Sequence, residues 1–281
     1  MRSELVNLYD CFQMPAPEGA CGELEGWVTR TSPEVGINRR SPAVLILPGG
    51  GYSHTSAREA EPVALRFLAR GYVPFVLRYS CGPHPFPVAL REAAMAMKYI
   101  RQRAEELEVN PNMVAAIGFS AGGHLCGTLG MLYDAPEVAD IGTASEIRPE
   151  ALGLCYPVAV SWGRTHEGSF QNLTFENEQL RARLSLEKLV RPDMPPVFLW
   201  HTRQVDCVPC RNSLILATAL EETGVPFALH LPLRGPHGLS VADEMAYSVG
   251  QVPEVSRWVP TWPEEMMDFF REQGFCLQDG R

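Results

Sequence analysis

The stretch Ile117-Gly118-Phe119-Ser120-Ala121-Gly122-Gly123 carries the strongest signal in this chain of 281 residues. Its G-x-S-x-G pattern directly follows the apolar run 113–117 and precedes a helical run with leucines at 125, 129 and 132. A serine on a tight turn between strand and helix needs small neighbours, because its backbone is strained and other segments approach closely. The helix that follows directs unpaired N–H groups and its positive dipole end toward the turn. The pattern therefore predicts Ser120 as a nucleophile.

Short apolar runs recur along the chain, each followed by a glycine or polar turn and then by a helical pattern. Besides 113–117, they occupy residues 43–47, 73–78, 151–155, 197–201 and 227–231. Near-continuous apolar strands are typical of parallel sheets covered by helices on both faces. We therefore predict one α/β domain over residues 1–281 with a mostly parallel central sheet, to which 23–29 adds a candidate antiparallel edge strand.

Helical spacing of apolar residues predicts helices over 88–107, 210–223 and 263–273. Pro62 fits best at the first position of an earlier helix, although Ser56 and Glu59 have the spacing of a capping box. Residues 52–60 are therefore expected to form a loop. The stretches 134–148 and 161–190 are polar and irregular, and they either cover a pocket or form ordinary surface loops.

The composition of the chain argues against several kinds of protein. A formal net charge of −9 offers no basic stripe for nucleic acid. No apolar run approaches the length of a membrane span, and the N-terminal segment lacks the apolar stretch of a signal peptide. We expect a cytoplasmic protein with eight reduced cysteines and no nucleic-acid or membrane partner. Cys207 and Cys210 form a C-x-x-C pair, but no second pair completes a zinc site, so no metal is expected and a redox role stays open.

A nucleophilic serine requires a base, and the chain has seven histidines, at 54, 84, 124, 166, 201, 230 and 237. His124 lies one turn after Ser120 on the same predicted helix, which favours a packing role. His201 and His230 lie in or at the ends of apolar strands, where histidines are usually bonded within the core. His237 follows the last apolar strand, in the turn RGPHGL, where a loop brings an imidazole to the top of the sheet. We therefore predict His237 as the base.

The residue that orients the imidazole lies between nucleophile and base in serine hydrolases of this strand–turn–helix type. Aspartates 134 and 140 follow the nucleophile helix too closely, and Asp193 precedes a strand, at the wrong edge of the sheet. Asp206 comes a few residues beyond the carboxyl end of the strand 197–201, where sites in open α/β sheets gather. Asp206 is the predicted orienting acid.

The tetrahedral intermediate also requires hydrogen-bond donors for its oxyanion. Pro48-Gly49-Gly50-Gly51-Tyr52 closes the first strong strand, and three glycines let the backbone turn its N–H groups inward. A phosphate-binding loop is disfavoured, because no Gly-Lys-Ser/Thr follows and G-x-G-x-x-G is not matched. An oxyanion-binding loop is the preferred interpretation, and a plain flexible turn is the alternative.

Five motifs together resemble the α/β-hydrolase-fold esterases: PGGGY at 48–52, LRYS at 77–80, GFSAGGHL at 118–125, HTRQVDCVP at 201–209 and GPHGLS at 235–240. The resemblance covers about residues 40–275 and is closest to the acetyl-esterase, xylan-esterase-like and hormone-sensitive-lipase-like branch. It implies a triad of Ser120, Asp206 and His237, with oxyanion donors at the backbone of Gly50, Gly51 and Ala121. Hormone-sensitive-lipase relatives usually have a histidine before the glycines. Pro48 at that position favours the carbohydrate-acetyl-esterase-like branch.

These residues predict a serine carboxylesterase that hydrolyses short-chain, acetyl-type esters without a metal or organic cofactor. The expected partner is a small ester, and the resemblance implies an acetylated sugar or xylo-oligosaccharide. Tyr52, Trp162 and His166 lie in loops, where they either contact the substrate or serve as surface and packing residues. Two alternatives stay open: a peptidase or amide hydrolase with the same triad, and a catalytically silent binding module.

Overall fold

A computed structural model of the chain describes residues 1–30, 32, 34, 39–204 and 207–277. Within these residues, eight strands form one sheet: β1 (Arg2–Asn7), β2 (Glu23–Val28), β3 (Ser41–Leu47), β4 (Val73–Arg78), β5 (Val109–Phe119), β6 (Leu152–Cys155), β7 (Val197–Trp200) and β8 (Phe227–His230). The helices are α1 (Leu8–Phe12), α2 (Glu61–Leu68), α3 (Val88–Gln102), α4 (Ala121–Met131), α5 (Ala144–Ile147), α6 (Glu167–Thr174), α7 (Glu178–Arg183), α8 (Leu186–Leu189), α9 (Arg211–Thr223) and α10 (Trp262–Glu272).

The strand order across the sheet is β1-β2-β4-β3-β5-β6-β7-β8. The strands β3 to β8 run parallel to one another, whereas β2 pairs antiparallel with both β1 and β4. The predicted fold class is therefore confirmed, and each of the six apolar runs forms a strand of this sheet. Since the carboxyl ends of parallel strands share one edge, the loops after β3, β5, β7 and β8 meet there.

Successive side chains of the central strands point to opposite faces of the sheet and pack into two separate hydrophobic cores. In β3, Ala43, Leu45 and Leu47 pack with α3, α4 and α9 on one face of the sheet. Val44 and Ile46 point to the opposite face, where α2 and α10 cover them. Every residue of β3 is buried, which explains why its sequence is apolar throughout instead of alternating.

Several predicted boundaries were wrong. The first strand and helix, β1 and α1, were not predicted, because the residues of β1 are exposed or half-buried and show no apolar run. Helix α3 ends at Gln102 instead of 107, since the chain turns there and Glu108 takes a φ of +56°. The stretch 161–190 is not irregular but contains α6, α7 and α8. Pro62 is the second residue of α2, one position later than predicted, and the loop before the helix includes a short 3₁₀ turn at Ala57–Glu59.

Among the described residues, no helix combines the length and apolarity that a bilayer crossing requires.

Candidate active site

The nucleophile candidate Ser120 lies between the end of β5 and the start of α4, with φ 53° and ψ −115°. This backbone conformation is rare for a residue with a side chain, and strain of this kind concentrates at functional sites. The amide of Ser120 donates to the carbonyl of Cys155, and its carbonyl accepts from the amide of Val158, both at about 3 Å. The turn is therefore held by the strand β6 and the loop that follows it.

Glycines flank the turn because other backbone occupies the space of their missing side chains. A Cβ on Gly118 would lie 2.1 Å from the carbonyl oxygen of Gly122. A Cβ on Gly122 would lie 2.1 Å from the carbonyl oxygen of Leu47, at the end of β3. The G-x-S-x-G pattern thus reflects close packing within the turn at Gly118, and of the turn against the end of β3 and Pro48 at Gly122.

The structure brings His237 to the nucleophile. Its Nε2 lies 2.8 Å from the Oγ of Ser120, across 117 positions of sequence. The ring packs edge-on against Tyr156, with ring centroids 4.9 Å apart. Burial, followed by the charge of nearby histidines and of Arg58, lowers the pKa of His237 to about 3. The imidazole is therefore neutral near pH 7 and able to accept a proton.

The other ring nitrogen of His237, Nδ1, is buried and has no hydrogen-bond partner among the described residues. Asp206, the predicted orienting acid, lies outside the described residues. In the described segment before it, the hydroxyl of Thr202 donates to the carbonyl of Gly235 at 2.8 Å, two residues before His237. The loop after β7 therefore contacts the loop that carries the imidazole.

The histidines that the sequence favoured less are bonded elsewhere. His124 is buried between the hydroxyl of Tyr52 and the carbonyl of Leu184, each 2.8 Å away. His201 is buried, with ring contacts to the hydroxyl of Ser213 and the carbonyl of Val208, each at 2.9 Å. Burial lowers the pKa of His124 and of His201 to about 4, so both stay neutral packing residues.

The glycine loop lies against the nucleophile with its amides available. Gly50 and Gly51 adopt φ values of 127° and 65°, and their amides have no acceptor within the described part of the chain. Ala121 provides the first amide of α4, which has no intrahelical acceptor. The loop is fixed along its length, since the carbonyl of Pro48 accepts from the hydroxyl of Tyr79 at 2.6 Å and that of Gly51 accepts from Asn172 at 2.9 Å.

A cavity of about 360 Å³ opens above Ser120. Besides Ser120, its described lining consists of glycines and residues with polar side chains from three regions: the loop after β3, the segment around α6, and the loop after β8. The stretch 161–190 therefore contributes to the wall of the cavity, through His166, Gly168 and Asn172.

The three predicted substrate contacts have different surroundings. His166 lines the cavity, and its Nδ1 accepts from the amide of Ser169 as the N-cap of α6. Tyr52 is buried beneath the glycine loop, where its hydroxyl contacts His124, so it packs instead of lining the cavity. Trp162 is 46% exposed and donates from its indole to Glu187, away from the described lining. Of the two roles considered for Tyr52, the structure therefore favours packing, since its side chain points inward from a turn with a φ of 56°.

Arg58 and Glu59 are among the residues of the cavity wall that were not predicted. The capping-box spacing between Ser56 and Glu59 was a local signal, but the loop predicted over residues 52–60 assigned no role to the carboxylate of Glu59. Ser56 makes no side-chain cap, and its amide donates to the carbonyl of Gly49. The carboxylate of Glu59 turns inward to the glycine loop instead.

The C-x-x-C pair is divided between surface and interior. Cys207 is exposed, whereas Cys210 is buried at the start of α9. Within the described ranges, no group of three His, Cys, Asp or Glu side chains could hold a metal ion.

A serine on a strained strand-to-helix turn, a histidine in contact with it from the loop after the last strand, and this strand order together define an α/β-hydrolase fold. The BD-FAE family matches residues 32–148. The chain is 36% identical over 218 residues to endo-1,4-beta-xylanase B of Butyrivibrio fibrisolvens, covering 73% of this chain and 33% of the relative. It is 25% identical over 253 residues to an acetylxylan esterase of Xylanibacter ruminicola, covering 86% of this chain and 51% of the relative. The chain thus spans between a third and about half the length of these curated relatives.

Solved structures match the chain over nearly its whole length. The acetyl ester-xyloside bifunctional hydrolase from Caldicellulosiruptor lactoaceticus superposes with a TM-score of 0.82 and 32% identity, covering 97% of both chains. A carboxylesterase from Lactobacillus plantarum superposes with a TM-score of 0.80 and 28% identity, covering 90% of this chain and 93% of that one. The chain therefore belongs to the carboxylic ester hydrolases of the α/β-hydrolase fold, in their acetyl- and xylan-esterase-like branch.

Proposed function

We propose that this chain is a serine esterase that hydrolyses short-chain, acetyl-type esters through an acyl-enzyme. The contact of 2.8 Å between the Nε2 of His237 and the Oγ of Ser120 carries the proposal, since a serine hydroxyl becomes nucleophilic when a neutral base accepts its proton. The lowered pKa of His237 keeps that base neutral.

In the first stage, Ser120 attacks the ester carbonyl while His237 takes the hydroxyl proton. The carbonyl oxygen becomes an oxyanion, and the amides of Gly50, Gly51 and Ala121 are its proposed donors. Removing one such donor from a serine hydrolase costs about 100- to 1000-fold in kcat. The imidazolium then protonates the departing alcohol, and water releases the acid from Ser120 with His237 again as base.

Asp206 is the proposed partner of the second ring nitrogen of His237. A buried ring nitrogen without an acceptor costs free energy, and it leaves the tautomer of the base undefined. A carboxylate at Nδ1 removes both problems, because it binds the N–H there and directs the lone pair of Nε2 toward Ser120. The position of Asp206 in the chain, after β7 and before His237, suits this role.

Two observations support an acetylated sugar as substrate. The cavity of about 360 Å³ lies at the small end of ligand pockets, which favours a short acyl group. The wall contains serine, histidine and asparagine side chains, whose hydrogen-bonding groups can contact the hydroxyls of a sugar alcohol. Two relatives, an acetylxylan esterase and an acetyl ester-xyloside hydrolase, carry names in keeping with this choice.

Replacing Ser120 tests the chemistry, and the chain offers a matched control. Ser53 also lines the cavity and contacts a histidine, with its Oγ 3.0 Å from the Nδ1 of His54, but this pair is exposed. We expect Ser120→Ala to lose p-nitrophenyl acetate hydrolysis by at least 1000-fold and to resist labelling by a fluorophosphonate. Ser53→Ala should keep activity within tenfold and should still be labelled at Ser120. Activity of Ser120→Ala within tenfold of the parent would refute the proposal.

A panel of substrates tests the acyl and leaving groups. We expect p-nitrophenyl acetate to exceed the octanoate in kcat/KM by more than tenfold, and acetylated xylose or xylobiose to release acetate. Aminoacyl anilides should be cleaved far more slowly, and the reverse ranking would favour an amide hydrolase. A folded protein without activity on either class would favour a binding module.

A further inference from the structure

Glu59 is a carboxylate buried at the candidate active site. It is 3% exposed, ends the 3₁₀ turn Ala57–Glu59 and contributes to the wall of the cavity beside Ser120. No ion pair to Glu59 occurs among the described residues. Burial raises the pKa of its carboxyl group, whereas hydrogen bonds from Tyr156 and from the amide of Gly49 oppose the rise. Holding an acid in such a position is costly, and an enzyme tolerates that cost where the acid serves the site.

One oxygen of Glu59 holds the glycine loop. Its Oε2 accepts from the amide of Gly49 at 2.8 Å. Gly49 touches the nucleophile: a Cβ on this glycine would lie 3.0 Å from the Cβ of Ser120 and 2.7 Å from the Oε2 of Glu59. The next two residues are Gly50 and Gly51, the proposed oxyanion donors. Fixing the amide of Gly49 therefore fixes where the donor segment begins.

The other oxygen of Glu59 reaches the loop that carries the base. Its Oε1 accepts from the hydroxyl of Tyr156 at 2.6 Å, and that hydroxyl accepts from the amide of Ser240 at 2.9 Å. The ring of Tyr156 also packs edge-on against His237. Ser240, three residues after His237, is held further by the indole of Trp262, which donates to its carbonyl at 2.8 Å.

We propose that Glu59 is a positioning residue for the reaction, which holds the oxyanion loop through Gly49 and the base loop through Tyr156 in one fixed relation across Ser120. The proposal rests on the esterase function above. Each contact uses an oxygen of Glu59 as an acceptor, so a carboxylate is required and an amide is not equivalent. Glu59 acts on the reaction through these contacts and does not itself exchange a proton with the substrate.

Glu59→Gln tests this, because its NH₂ group must face either the amide of Gly49 or the hydroxyl of Tyr156, both of which are donors. We expect kcat for p-nitrophenyl acetate to fall about 100-fold with KM within threefold, since a misplacement of about 1 Å costs about that much. Affinity for a boronic acid, which forms a tetrahedral adduct with Ser120, should fall about as much. Tyr156→Phe should also lower kcat. The double variant should have a kcat within threefold of that of the less active single variant, because both substitutions break the same chain of contacts.

Glu92→Gln is the matched control. Glu92 is also buried, and its carboxylate accepts from Ser80 and from Tyr9, away from the described cavity lining. We expect this variant to melt at a lower temperature and to keep kcat within threefold after active-site titration with a fluorophosphonate. If Glu59→Gln behaves in the same way, Glu59 only stabilises the fold and the proposal is wrong. A change confined to KM would also overturn it.

The titration separates failure of this proposal from failure of the proposed function. If the parent protein is not labelled at Ser120, the esterase mechanism is wrong, and the positioning role of Glu59 falls with it. If the parent is labelled and Glu59→Gln retains its kcat and boronate affinity, only the role of Glu59 is refuted. Where Glu59→Gln does not fold, Tyr156→Phe carries the same comparison, because it retains the ring and removes only the hydroxyl.

Discussion

Gly122→Ala should uncouple the nucleophile turn from the glycine loop. The added Cβ would lie 2.1 Å from the carbonyl oxygen of Leu47 and 2.3 Å from that of Pro48. Contacts of a Cβ below 3.0 Å are essentially absent from proteins, so the two segments must separate by about 0.9 Å. Both clashing atoms belong to the backbone, and no side-chain rotation relieves them. The segment that moves leads into Gly50 and Gly51, whereas Ala121 stays with the helix α4.

The expected losses of activity and stability follow from this displacement. Misplacement of about 1 Å costs about 100-fold in rate, and overpacking costs about 1–3 kcal/mol of folding free energy. Higher helix propensity of alanine returns at most about 1 kcal/mol. We therefore expect kcat/KM for p-nitrophenyl acetate to fall about 100-fold in Gly122→Ala, with a modest loss in the free energy of unfolding.

Gly127→Ala in the same helix is the control. Its Cβ would meet only side-chain atoms of Leu186, the nearest being Cδ1 at 2.6 Å, so the clash does not involve the backbone of the glycine loop. Both variants gain one methyl group and the same helix propensity, so stopped assays normalised by fluorophosphonate titration compare them directly. Gly127→Ala should retain kcat/KM within threefold. Equal activity in the two variants would show that the close approach at Gly122 is not needed for catalysis.

Two further results are expected. Asp206→Asn should lower kcat by about 10,000-fold. The same variant should lose activity at a lower pH than the parent, because activity is lost once His237 is protonated, and a carboxylate at Nδ1 raises the pKa of His237 whereas burial lowers it. Profiles of kcat/KM from pH 4 to 9 check this. An acid limb at the same pH in both proteins would contradict the contact between Asp206 and His237. Asn212→Ala should cost about 2–4 kcal/mol of stability, since its buried Oδ1 accepts from the amides of Ala159 and Val160. The control is Asn177→Ala, which removes a single exposed helix cap worth about 1 kcal/mol. Thermal unfolding of both variants measures the difference, and equal losses of stability would refute the reasoning.

The sheet was predictable because its strands are buried on both faces. Six apolar runs marked six parallel strands, and glycines next to Ser120 marked the turn where backbones approach most closely. The edge was harder to predict, since β1 lies at the rim of the sheet and its residues need not be apolar. The end of α3 also escaped prediction, because apolar spacing continues past Gln102 through Ala104 and Leu107, which are buried in a turn.

Residue patterns alone were enough to predict the type of turn, the order of the functional segments and the pairing of Ser120 with His237. Local rules suffice there: small neighbours, an apolar strand before the turn and a loop after the last strand. Which side chains surround these two residues became known from the folded chain. The 2.8 Å contact joins residues 117 positions apart, and Glu59 serves the glycine loop instead of capping a helix. Tyr52 is buried although it lies in a loop. Such contacts form between loops that are distant in the sequence and come together at one edge of the sheet, so no local pattern of residues predicts them.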